Sequence, residues 1–185
     1  MHITDRIKLC LAGMLCAFSL SGSEKSCIPG WVTLQHIQED LTIQGEAVSF
    51  RLERGALSVY SADELRFQPP GDWIVADVFA ADIDRDDEYE VLLHVWKPGS
   101  FGEFEPFWRE KEDKTVYSEH LFLYEWDTER ADRLDPKWMS SAMPVEGRRV
   151  FVSDDGAVHV VSSDAETVWI WEGWGLKLLR TEGEA

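Results

Sequence analysis

Residues 82–90 read Asp-Ile-Asp-Arg-Asp-Asp-Glu-Tyr-Glu, an acidic stretch set between two apolar runs, 73–81 and 91–96. The second run restricts the fold more than any other feature of the chain. Val91, Leu93 and Val95 alternate with Leu92, His94 and Trp96, so a strand built from it carries large side chains on both faces. Such a strand is covered from both sides instead of lying half in water.

The rest of the chain repeats the period of two. Val48, Phe50 and Leu52 alternate with Ser49, Arg51 and Glu53 before a turn at Arg54-Gly55. Short strands are predicted over 56–60 and 64–67, and Pro69-Pro70-Gly71 breaks the run. Upstream, residues 31–37 fit either a first strand or a short helix. Downstream, 97–108 is rich in Gly, Pro and aromatics and reads as a long structured loop, followed by a charged turn at 111–114. A strand over 120–126 turns at 127–129 into another that leads to Trp138. The last third is the most regular, with strand pairs around Asp155-Gly156 and Glu172-Gly173.

No long stretch of period 3.6 occurs beyond the first twenty or so residues. The strands fall into three sets, about 48–68, 73–140 and 149–179. Units of four strands with two apolar faces must stack, and radial stacking gives a propeller. The expected fold is therefore all-β, a partial or small β-propeller of stacked four-stranded antiparallel sheets. A β-sandwich is the alternative.

The N-terminus reads as an export signal. Arg6 and Lys8 precede an apolar run over 9–20, and Ser21-Gly22-Ser23 supplies small residues for cleavage. Residues 1–23 are thus expected to be a signal peptide, helical as such segments are, leaving one domain over 24–185. The run falls short of the roughly 20 residues a transmembrane helix needs, and an uncleaved signal anchor is the alternative to cleavage. Cys10 and Cys16 would leave with the signal, so the mature chain keeps Cys27 alone and has no internal disulfide. The formal net charge of −17 repels nucleic acid and anionic membranes and attracts cations.

That charge bears on the acidic loop. Asp82, Asp84, Asp86 and Glu90 stand at its first, third, fifth and ninth positions. Carboxylates converging at this spacing repel one another unless a hard cation lies among them. Ca2+ suits the set, since it takes six to eight oxygens in flexible geometry. The carbonyl of Glu88, at the seventh position, would complete it. An EF-hand is excluded, because its closing Glu would fall at Leu93, inside a strand.

With acidic residues at one, three, five and nine between two strands, the loop resembles an FG-GAP or VCBS-type repeat, the calcium-binding blade of integrin-like propellers. That pattern has Gly at positions four and six, where this chain has Arg85 and Asp87. The segments WKPGSFGEFEPFW, HLFLYEW and PKWMSSAM are also similar to small secreted bacterial proteins carrying such repeats. The resemblance implies a propeller blade and a structural Ca2+ site, and it implies no reaction.

Other constellations are weaker. His94, His120 and His159 lie on predicted strands but lack the spacing of a zinc site. Trp96, Phe101, Phe104, Phe107 and Trp108 form an aromatic group that suits packing better than a sugar platform, and Trp169, Trp171 and Trp174 read as packing residues too. No nucleophile motif and no phosphate-cradling loop occurs. The expected function is a non-catalytic module, stabilised by Ca2+, that binds a protein or glycan outside the cytoplasm. The alternatives are a hydrolase acting on polysaccharide and a structural subunit of a larger assembly.

Overall fold

The structure, a computed structural model, describes residues 28–101, 116–144 and 146–183. The expected signal peptide, Phe104, Phe107 and Trp108 of the aromatic group, and the charged turn at 111–114 lie outside the described residues. Those residues form twelve strands and no helix. They are β1 (Ile37–Ile43), β2 (Glu46–Glu53), β3 (Ala56–Ser61), β4 (Glu64–Phe67), β5 (Ile74–Ala81), β6 (Glu90–Pro98), β7 (Tyr117–Trp126), β8 (Leu134–Met139), β9 (Arg149–Val152), β10 (Val158–Val161), β11 (Ala165–Trp171) and β12 (Leu176–Gly183).

Each consecutive group of four closes into its own antiparallel meander, with orders β1-β2-β3-β4, β5-β6-β7-β8 and β9-β10-β11-β12. The three sets expected from the strand spacing are these three sheets, where a sandwich would have two. The first set differs at its start. Residues 31–36 are neither strand nor helix, and the first strand begins at Ile37. Ile37, Leu41 and Ile43 face the core, but Glu39 shares their face and interrupts the apolar alternation.

The middle sheet explains the two-faced apolar run. Val91, Leu93 and Val95 of β6 and Phe122, Tyr124 and Trp126 of β7 pack with Val48, Phe50, Leu52, Leu57 and Val59 of the first sheet. Leu92, Leu121 and Leu123 point the other way, into a second core with Val150, Val158, Val160 and Leu176 of the third sheet. Adjacent residues of one strand thus serve two cores. A one-residue slip would exchange them, so both cores fix the register.

Turns from all three sheets meet around residues 82–90. In the β1–β2 turn, Gln44 Nε2 donates to Glu88 Oε2 at 2.6 Å. From the β9–β10 turn, the Asp155 carbonyl accepts from Arg85 Nε at 2.9 Å. Lys137 of β8 reaches the loop from within its own sheet. Residues 82–90 are therefore a junction of three sheets, not a free turn.

Candidate metal centre

The loop leaves β5 at Ala81 and rejoins the sheet at Glu90. Its apolar anchor is Ile83, 2% exposed and packed in the second core. With Ile83 pointing inward, Asp82 and Asp84 flank it and the chain curls back over Asp86. Asp82 Oδ1 accepts the Asp86 N–H at 3.1 Å and Oδ2 accepts the Asp87 N–H at 3.2 Å. Asp86 Oδ1 in turn accepts the Glu88 N–H at 2.9 Å. Such side-chain-to-backbone bonds are how Asp residues stabilise tight turns.

Arg85 and Asp87 adopt φ of 67° and 70°, the left-handed region that favours glycine. These are the fourth and sixth loop positions, where the repeat pattern has Gly. The backbone passes through the left-handed region here without glycine, the residue type that suits it best.

Of the five residues expected at the site, Asp82, Asp84 and Asp86 converge, each offering a carboxylate oxygen within 4.8 Å of the other two. Glu90 is placed differently. Its Oε2 accepts the Ile83 N–H at 2.8 Å, and its Oε1 receives Lys137 Nζ at 3.1 Å. Burial pushes the Glu90 carboxyl pKa up, while the Ile83 N–H and Lys137 draw it back down. The Glu88 side chain turns outward to Gln44.

Whether a hard cation suits the three aspartates depends on which oxygens remain uncommitted. Asp84 Oδ2 is held by Lys137 Nζ at 2.6 Å, but Asp84 Oδ1 is buried and has no hydrogen-bond partner. A buried carboxylate oxygen without a donor is costly. Asp84 also lines a cleft of about 80 Å³ with Ile83, Arg85, Gly156, Ile170 and Trp171. All the converging donors are oxygens, the chemistry Ca2+ and Mg2+ prefer over softer metals. The residues fit such an ion.

Lys137 is the part of the site that residue spacing did not reveal. It lies 53 positions from Asp84, and it acts as a cation already supplied by the chain. Burial opposes its charge, yet the hydrogen bonds to Asp84, Glu125 and Glu90 outweigh that and hold its pKa above the ordinary lysine range.

The histidines do not come together. His94 Nε2 lies 2.7 Å from Glu119 Oε1, both side chains almost fully buried on the face toward the third sheet. His120, on the opposite face, bonds to the carbonyls of Ser140 and Gly99. His159, in the third sheet, bonds to Glu166 and stacks on Phe151 at 4.4 Å. None belongs to a metal-holding group among the described residues. Strand pairing does place Asp77 opposite His94, and Glu119, opposite Trp96 on β7, reaches His94 diagonally. Burial raises the Asp77 pKa to about 6, against the lowering effects of the Val78 N–H and of His94.

Of the aromatic residues, Trp96 is buried edge-on against Trp31, with ring centroids 5.9 Å apart. Trp169 and Trp171 pack on the second core. Trp174 departs from the expected packing role, since it sits in the turn before β12 and is 84% exposed. Comparison with protein-family models, with curated proteins and with solved structures finds no match to this chain.

Proposed function

We propose that this chain is an exported, non-catalytic binding module, built as propeller-type blades, in which Ca2+ held by residues 82–90 ties the sheets together. The observation that carries the reading is the convergence of Asp82, Asp84 and Asp86 in a loop bonded to turns of the two neighbouring sheets. An ion there would be held by those three side chains, with Asp84 offering its unpartnered oxygen. It would supply positive charge to an acidic junction, and the role is structural. Glu90 shapes the loop by bonding Ile83 and Asp84 N–H groups instead of facing the ion directly. A protein or glycan partner fits a surface that includes the exposed Trp174, Leu178 and Leu179, since aromatic and aliphatic anchors dominate recognition surfaces.

The test is a melting curve with Ca2+ and with chelator, for wild type and for Asp86→Ala. Ligand at a hundredfold over its Kd adds about 2.7 kcal/mol of stability. The wild-type midpoint should rise with Ca2+, and Asp86→Ala should lose most of that rise. An unchanged wild-type midpoint removes the metal role. Turnover on a panel of polysaccharides would replace the binding reading with the hydrolase one.

A further inference from the structure

Lys137 Nζ lies 2.6 Å from Asp84 Oδ2, 2.9 Å from Glu125 Oε1 and 3.1 Å from Glu90 Oε1. An ammonium has three N–H donors, and here three carboxylates surround it. The side chain is 11% exposed, and the charge rests 5.3 Å from the Trp171 ring of the third sheet, a cation–π distance. We propose that Lys137 is the resident cation of the acidic loop, balancing Asp84 and Glu90 when no ion is bound and setting how weakly a divalent ion is then held.

This role for Lys137 rests on the Ca2+ reading of the loop. Two buried carboxylates facing each other without a cation would spread the loop apart. Lys137 supplies that cation from a strand, so the loop keeps its curl without an ion. The ammonium leaves Asp84 Oδ1 and the side chains of Asp82 and Asp86 uncommitted to it. A divalent ion entering there meets a fixed positive charge across a single carboxylate, and like charges at that range repel strongly in a partly buried site. The lysine therefore makes the junction less dependent on the ion and lowers its affinity for it.

The experiment compares wild type, Lys137→Met and Lys137→Arg by melting in excess Ca2+ and in chelator, with Ca2+ affinity from calorimetry. Lys177→Met serves as the control for removal of an exposed cation that is paired with Glu172 and touches none of the loop carboxylates. Lys137→Met should melt lower than wild type in chelator and show a larger rise with Ca2+. Its affinity should be tighter by about tenfold, the change that removing one close like charge brings in a partly screened site. Lys137→Arg, which keeps the charge, should stay close to wild type, and Lys177→Met should leave the affinity unchanged. Equal Ca2+ responses in wild type and Lys137→Met overturn the proposal and leave the metal reading standing. Silence in both overturns the two together. A silent wild type with a responsive Lys137→Met keeps the proposal and overturns the reading of the natural loop as a Ca2+ site. Should Lys137→Met fail to fold in either condition, Lys137→Gln carries the same comparison with the same contrary outcomes.

Discussion

Gly156 lies so close to Asp82 that a Cβ added to it would come within 2.6 Å of the Asp82 carbonyl oxygen. The acidic loop of the middle sheet and the β9–β10 turn of the third sheet are in backbone contact there, and Arg85 bonds the Asp155 carbonyl one residue earlier. The loop is thereby seated on the third sheet by shape as well as by charge.

Gly156→Ala should be severely destabilising. The position has φ of +76°, and the new methyl would also meet Ile83 backbone atoms at 3.3 and 3.4 Å. Left-handed strain and overpacking together cost roughly 3 kcal/mol. Gly45→Ala is the control, with φ of +82° but open space around it, and should cost only about 1 kcal/mol. Urea unfolding of the two variants measures the difference. Equal losses would mean that the contact between loop and turn contributes nothing.

Asp77 makes stability depend on pH. Its pKa is raised from 3.8 to about 6 in the fold, so the folded state binds the proton more tightly than the unfolded one. This contribution is fully present below pH 3.8 and is lost as pH rises through about 6. Over that window it amounts to at most about 3 kcal/mol. Asp77→Asn keeps an acceptor for the Val78 N–H and removes the charge, so it should be more stable than wild type at pH 8. At pH 4 the two should converge. A constant difference across that range would contradict the assignment.

Glu119 holds the connection between the second and third sheets. Its Oε2 accepts the Gly147 N–H at 2.6 Å while Oε1 faces His94, and its backbone carbonyl accepts the Met143 N–H at 2.8 Å. Glu119→Ala leaves His94 and the Gly147 N–H buried without that partner and should cost roughly 3 to 5 kcal/mol. Glu119→Gln retains an acceptor and should cost less than half as much. Chemical denaturation decides the point, and a loss under about 1 kcal/mol for the alanine variant would show that the segment is held by other contacts.

Much of the fold was legible because it is local. The two-faced apolar run of β6 announces a strand between two cores, and hairpin signals such as Asp155-Gly156 mark where one strand turns into the next. Where local pattern and tertiary demand part company, reading fails. Glu39 hides β1 by sitting on its core-facing side, and Trp174 is exposed in the turn between β11 and β12. The three converging aspartates of the loop could be picked out by spacing, since Asp82, Asp84 and Asp86 lie within five residues. Lys137 could not, because its partners Asp84 and Glu90 come from strand pairing across the middle sheet. Nor does spacing tell Glu90 as a ligand from Glu90 as a loop brace, a distinction made by where the Ile83 N–H points.

An ion held by residues 82–90 should stabilise all three sheets at once, and amide hydrogen exchange with and without Ca2+ reads that out sheet by sheet. Exchange reports opening unit by unit. Ca2+ should slow the protected amides of Phe50, Leu93 and Val160, one in each sheet, by a common factor of about ten or more. Slowing confined to the loop itself, or no slowing at any of the three, would contradict it.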